Sequence, residues 1–142
     1  MTSAVDTNVL VALLSGTEVE ADIAQEALVQ AASRGAVVIC AAVYAELMAM
    51  PGLEAEDLDA FLKETDVVVD WSLEEAVWRE AGLFYRRYAE RRRSQKGDEG
   101  PRRILADFLI GAHASRSADR LLTLDPQLFK AFELEVVVPE RA

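Results

Sequence analysis

Short Val-, Ile- and Leu-rich runs alternating with amphipathic helical stretches predict an α/β fold, a three-layer α/β/α sandwich around a central parallel sheet of four or five strands. Two observations carry that expectation. The apolar runs are four or five residues long and continuous, as strands covered on both faces are. A helical pattern separates successive runs, so the strands are expected to be joined by right-handed crossovers. With 142 residues and 51% hydrophobic content the chain can bury a core of its own, and residues 1–142 read as a single domain.

Ser3 to Thr7 is the first expected strand, followed by helices from Val9 to Leu14 and from Glu18 to Ser33. Ala36 to Cys40 is the second strand, and Pro51-Gly52 divides the next helical region into Ala42 to Met50 and Glu54 to Glu64. After a third strand, Val67 to Asp70, the longest helix is expected from Ser72 to Arg93. Trp71, Trp78 and Tyr85 recur there every seven residues with Phe84 and Tyr88 beside them, a stripe expected in the core or at a dimer interface. Gly97 to Pro101 separates this helix from the last, Arg103 to Ser117, and strands from Arg120 to Leu124 and Glu135 to Val138 complete the pattern. Neither a repeat nor a domain linker interrupts it.

Four acidic residues stand in apolar settings: Asp6, Glu46, Asp107 and Asp125. Charged side chains are rarely buried without a partner, so segments this apolar should turn these carboxylates toward a shared polar place. Asp6 and Asp125 end expected strands, where open α/β sheets bind ligands, Glu46 lies on the helix that follows the second strand, and Asp107 lies near the start of the last helix. Gly111, four residues after Asp107, is expected to leave room beside it. Each acid also has an ordinary reading, as a helix cap for Asp6 or Asp125 and a solvated helix residue for Glu46 or Asp107. Four such charges at ~7 Å and an effective dielectric of ~20 make six pairs of roughly 2.4 kcal/mol each, about 14 kcal/mol of repulsion. That rivals the ~5–15 kcal/mol stability of a whole domain, so a cluster would need a cation or bound protons.

Oxygen ligands suit Mg²⁺ or Mn²⁺. Cys40 is the only cysteine and His113 the only histidine, which leaves too few ligands for a zinc site and no second cysteine for a disulfide. Cys40 is expected to be a buried, inert thiol, and His113 a half-buried helix residue. No apolar run approaches the ~20 residues of a membrane span, and no cleavable leader precedes the first strand, so the expected location is the cytoplasm.

The net charge of −10 is unevenly spread. Residues 1–78 carry 15 acids against Arg34 and Lys63, whereas residues 79–142 carry 10 acids and 13 bases. Arg86, Arg87, Arg91, Arg92, Arg93, Arg102 and Arg103 belong to one basic stretch, which reads either as a phosphate-binding surface or as a solvated face balancing an acidic protein.

Asp6-Thr7-Asn8 after an apolar strand, Ala45-Glu46-Leu47, Ala106-Asp107-Phe108-Leu109-Ile110-Gly111-Ala112-His113-Ala114 and Thr123-Leu124-Asp125 resemble the four acidic motifs of PIN-domain ribonucleases. In size and order the chain is most similar to the VapC toxins of toxin–antitoxin pairs. The resemblance covers essentially the whole chain. It implies Mg²⁺- or Mn²⁺-dependent endonucleolytic cleavage of RNA, homodimerisation and inhibition by a cognate antitoxin protein. It makes Asp6, Glu46, Asp107 and Asp125 the metal-binding, catalytic acids, with Thr7, Asn8 and Thr123 as supporting polar contacts. This chain departs from the family pattern in its late Gly52 after Glu46, in the absence of a further acid in Pro126-Gln127-Leu128-Phe129, and in the length of its basic stretch. Three other readings share some of these features. A haloacid-dehalogenase-like phosphatase wants an acid where Asn8 stands, a receiver-type phosphoacceptor wants paired acids after its first strand and a late Lys, and a catalytically silent PIN-like domain would only bind a partner.

Overall fold

The computed structural model describes residues 1–94 and 103–140. Five strands, β1 (Ser3–Val5), β2 (Val37–Cys40), β3 (Val67–Asp70), β4 (Arg120–Leu122) and β5 (Glu135–Val137), form one sheet in the order β3-β2-β1-β4-β5. Every neighbouring pair is parallel. The helices are α1 (Thr7–Ser15), α2 (Glu18–Arg34), α3 (Ala41–Leu47), α4 (Ala55–Glu64), α5 (Glu75–Ser94) and α6 (Leu105–Ser117), and a 3₁₀ turn spans Pro126–Phe129. The chain adds strands in one direction from β1 to β3 and then returns to the other side of β1. Right-handed crossovers therefore carry the helices before and after that reversal to opposite faces, giving the three-layer α/β/α architecture. The reversal also opens a crevice beyond the carboxyl ends of β1 and β4.

The central strands are buried throughout, as short apolar runs covered on both sides must be: Ser3, Ala4 and Val5 in β1, and Arg120, Leu121 and Leu122 in β4. The buried Arg120 guanidinium donates through Nε to Ser3 Oγ at 2.8 Å, which ties the two strands laterally. Several element boundaries differ from the sequence expectation for local reasons. The Asp6 carboxylate accepts the Thr7 amide at 2.8 Å, which ends β1 at Val5 and starts α1 at Thr7 rather than Val9. β4 stops at Leu122, and Pro126 opens the 3₁₀ turn, which the periodicity did not indicate. Residues 95–102, with Lys96, the break at Gly97 to Pro101 and Arg102, lie outside the described residues.

The aromatic stripe divides. α5 begins only at Glu75, so Trp71 precedes it and is 65% exposed, while Trp78 is 48% exposed and neither belongs to the core. Tyr85 and Tyr88 do pack inward, with the Tyr85 ring stacked on Phe108 at 4.9 Å between centroids.

Helix α6 is the centre of the molecule. It packs against α5, α3, β2 and β4, and every residue from Phe108 to Ala114 is buried. A helix apolar on all sides has no stripe to show, because every side meets protein. His113 is thus fully buried rather than half-buried, with Nε2 2.9 Å from Asp70 Oδ2, and this hydrogen bond holds the Asp70 carboxyl below its ordinary range. Cys40 is a buried free thiol whose pKa is pushed up by burial. Among the described residues no helix is long and apolar enough to cross a membrane.

Gly111 does not face the acids. A Cβ built on it would run into the ring of Phe132, which is itself buried, so the missing side chain admits that ring against α6. Gly111→Ala gains some helix propensity but forces the ring aside. The expected net result is a destabilisation of about 1–3 kcal/mol, read as a lowered midpoint in urea with an unchanged slope.

Candidate functional site

Asp6, Glu46, Asp107 and Asp125 all line one open cleft of about 320 Å³ at the carboxyl ends of β1 and β4, together with Thr7, Asn8, Val11, Arg103 and Leu128. The cleft draws on four separate stretches of chain. Asp6 is delivered by the end of β1, Glu46 by the last turn of α3, Asp107 by the first turn of α6, and Asp125 by the turn after β4. A larger cavity of about 420 Å³ is lined by Arg34, Arg120 and Glu26 among others, and none of the four acids borders it.

Each carboxylate is held by a donor close to it. Asp6 accepts from the Thr7 amide through Oδ1 at 2.8 Å and from the Thr123 hydroxyl through Oδ2 at 2.7 Å. Glu46 Oε1 accepts from the Thr7 hydroxyl at 2.6 Å. Asp107 Oδ2 accepts the Ile104 amide at 3.0 Å, a bond that also satisfies the exposed start of α6. Asp125 Oδ2 pairs with Arg103 Nη1 at 2.6 Å. The ordinary readings are therefore partly realised, since Asp6 does cap α1, but the same carboxylate lines the cleft. Asn8 Oδ1 accepts the Leu124 amide at 3.1 Å, which fastens the start of α1 to the turn carrying Asp125. Thr123 Oγ1 also accepts the Asp125 amide at 3.0 Å, so one hydroxyl links two of the acids.

In this arrangement no group of three or more His, Cys, Asp or Glu side chains among the described residues is already set to hold a metal ion. The hydrogen bonds above draw the carboxylates toward separate donors. The donor set is nonetheless all oxygen, and among the described residues Arg103 is the single cation lining the cleft, so a hard divalent cation fits its chemistry.

The basic stretch runs beside the acids. A cavity of about 220 Å³ is lined by Arg87, Tyr88, Arg91, Arg103, Phe108 and Gln127 among others, and a second of about 290 Å³ by Tyr85, Tyr88, Arg92, Arg93 and Arg103. The Arg87 guanidinium lies 5.3 Å from the centre of the Phe84 ring and that of Arg92 5.7 Å from the Tyr88 ring. Arg86 instead pairs with Glu90 at 3.4 Å on the exposed side of α5. Sequence reasoning placed Arg103 in this basic group and Tyr88 in the aromatic stripe, but missed the contact of Arg103 with Asp125 and that of its amide with the Tyr88 hydroxyl, which accepts it at 2.6 Å. Neither contact has a sequence signal, because each joins elements distant along the chain.

Comparison with known proteins gives a family match, the PIN domain, over residues 4–133. The fold is similar to that of VapBC2 from Rickettsia felis bound to a promoter DNA fragment, at 21% identity and a TM-score of 0.68 over 99% of this chain and 100% of that one. It is also similar to a toxin–antitoxin complex from Klebsiella pneumoniae (18% identity, TM-score 0.67, 99% of each chain). VapBC-1 from nontypeable Haemophilus influenzae is a third (22% identity, TM-score 0.67, 97% of this chain and 98% of that one). No curated protein gives a significant sequence match.

Electrostatics follow burial. Asp6 is 6% exposed, and desolvation pushes its carboxyl up from 3.8 to about 6 against the pull of the Thr123 and Thr7 hydrogen bonds, with the charges of Asp107 and Glu46 adding to the rise. Burial raises Asp107 as well, opposed by the Ile104 hydrogen bond and the nearby Arg103 charge. Because the folded Asp6 binds its proton more tightly than the unfolded residue, the penalty is absent below pH 3.8, grows as the pH rises to about 6 and is complete above it. Asp6→Asn keeps a capping oxygen and removes the charge. In EDTA it is expected to raise the melting temperature at pH 7.5, a gain of up to ~3 kcal/mol that disappears by about pH 4. Melting curves of both proteins across that range check it.

Proposed function

We propose that this chain, which belongs to the PIN domain family, is a metal-dependent endoribonuclease and the toxin of a toxin–antitoxin pair. The observation that carries the reading is the cleft itself, in which four acids from four separate segments meet at the sheet's switch point with Arg103 beside them. Asp6, Glu46, Asp107 and Asp125 would hold Mg²⁺ or Mn²⁺. A bound ion of this kind lowers the pKa of water and offsets negative charge growing on a phosphate.

The chain's own groups do the positioning. The Thr123 hydroxyl and Thr7 amide fix both oxygens of Asp6, and the Thr7 hydroxyl fixes Glu46. These bonds pre-set ligand orientation, as outer partners of metal ligands do. The start of α6 favours the negative charge of Asp107. Beside the cleft, Arg87, Arg91, Arg92, Arg93 and Arg103 face cavities that also expose Tyr88, a surface suited to phosphates and unstacked bases of RNA. Arg86 lies on the exposed side of the same helix, and Arg102 completes the basic stretch in sequence alone. With RNA as substrate the place of action is the cytoplasm, and residues 1–142 act as one domain. A cognate antitoxin is the partner, supported by a fold neighbour described as a toxin–antitoxin complex. Exposed Trp71, Trp78 and Leu83 offer apolar surface for homodimerisation.

Replacing Asp6, Glu46, Asp107 or Asp125 singly with Ala is expected to lower cleavage of structured RNA by about 100-fold or more while the protein stays folded. EDTA should abolish wild-type cleavage and Mn²⁺ restore it, with 5′-phosphate and 3′-hydroxyl ends on the products. Activity that survives chelation, or 2′,3′-cyclic phosphate ends, would refute the mechanism.

The arginine path has its own readout. Changing Arg91, Arg92 and Arg93 together to Ala should weaken RNA binding across sequences and flatten the slope of log affinity against log salt by roughly 0.7–0.9 for each phosphate no longer neutralised. An unchanged slope would assign these residues to a solvated face.

A further inference from the structure

We infer that Arg103 is a movable counter-ion of the acid cleft, resting on Asp125 while the carboxylates are bare and transferring to an RNA phosphate once a divalent cation neutralises them. The inference rests on the proposed function and adds to it a role for one residue in regulating access to the site.

The Arg103–Asp125 pair is unlike the other arginine–carboxylate pairs among the described residues. At 2.6 Å it is the shortest of them, and its side chains are only 19% and 37% exposed. Arg79–Glu75 and Arg86–Glu90 are solvated pairs within one helix, and Arg116–Glu80 stands at 3.4 Å. A guanidinium with so little access to water needs a sheltered anion, and Asp125 supplies one. The pairing engages Oδ2 of the fourth carboxylate, an oxygen that a cation in the cleft would compete for. A divalent cation and a guanidinium on the same carboxylate repel each other, so the ion's arrival weakens the hold of Asp125 on Arg103.

The geometry also supplies a destination. The Arg103 amide is fastened to the Tyr88 hydroxyl at 2.6 Å, so the base of the side chain is fixed at the wall between the cleft and the basic cavities. Arg103 lines the acid cleft and both of those cavities. Rotation about its own side-chain bonds is therefore enough to exchange a carboxylate for a phosphate, and the guanidinium fork matches either anion.

The test compares wild type, Arg103→Ala and Arg103→Lys as purified full-length chains, with folding checked by thermal melting. Mn²⁺ affinity is measured by titration calorimetry without RNA, and RNA cleavage kinetics at saturating Mn²⁺. Arg103→Ala should bind Mn²⁺ roughly three- to tenfold more tightly, the range of a partly screened ion pair. The same variant should lose about tenfold or more in kcat/KM, chiefly through a raised KM, because the guanidinium no longer reaches the phosphate. Arg103→Lys, which keeps a charge without the fork, should recover part of the RNA affinity. A purely structural role would weaken both measurements together. Unchanged or weaker Mn²⁺ binding in both variants overturns the inference while leaving the nuclease reading intact, as does unchanged kcat/KM for Arg103→Ala. A wild type that binds no Mn²⁺ overturns the nuclease reading and this inference with it.

Discussion

Like charges brought into one partly dry cleft govern the rest of this structure. Four carboxylates cannot share a small space without donors to hold them apart or a cation to hold them together. The fold supplies donors to each: the Thr123 hydroxyl and Thr7 amide for Asp6, the Thr7 hydroxyl for Glu46, the Ile104 amide for Asp107 and the Arg103 guanidinium for Asp125. The burden is uneven. Asp6 is the most deeply placed and keeps the most perturbed carboxyl, because its two hydrogen bonds only partly offset the loss of water. A site loaded in this way is unfavourable in isolation and favourable toward a cation, a trade between stability and function that a binding pocket commonly makes.

The scaffold that tolerates this strain is the pairing of a parallel sheet with α6. Central strands buried on both faces leave their carboxyl ends as the natural outlet for polar groups, and the reversal of strand order beside β1 makes that outlet a crevice rather than a flat edge. Helix α6 passes from the crevice into the core, so its first turn is open enough to solvent to carry Asp107 while the next residues are sealed by protein. Its tight seating depends on small details such as Gly111, which yields its side-chain space to Phe132.

The α/β class, the five strands and the sequence positions of the acids were legible because each has a local signal: short apolar runs, helical periodicity, and charge in an apolar setting. What escaped was set by contacts between distant segments. Asp6 sits at a strand end in any reading, but only the folded chain shows it capping α1 and meeting Thr123 together. His113 looked half-buried because one helix face carries no information about what covers the other, and Asp70 comes from a strand more than 40 residues away. The heptad spacing of Trp71, Trp78 and Tyr85 suggested one stripe, yet α5 starts after Trp71 and buries Tyr85 but not Trp78. The basic residues were visible as a run, whereas the pairing of Arg103 with Asp125 depends on a loop geometry that composition does not encode.

Cys40, the only sulfhydryl in the chain, ends β2 and is 1% exposed, one strand away from the strand that delivers Asp6. A thiol so placed can react with a labelling reagent only when the protein around the end of β2 opens. Its alkylation rate under native conditions is therefore a built-in clock for that opening, free of interference from any second sulfhydryl. Slowing of that clock by a cation would report occupation of the cleft through the protein's own breathing, with no substrate present.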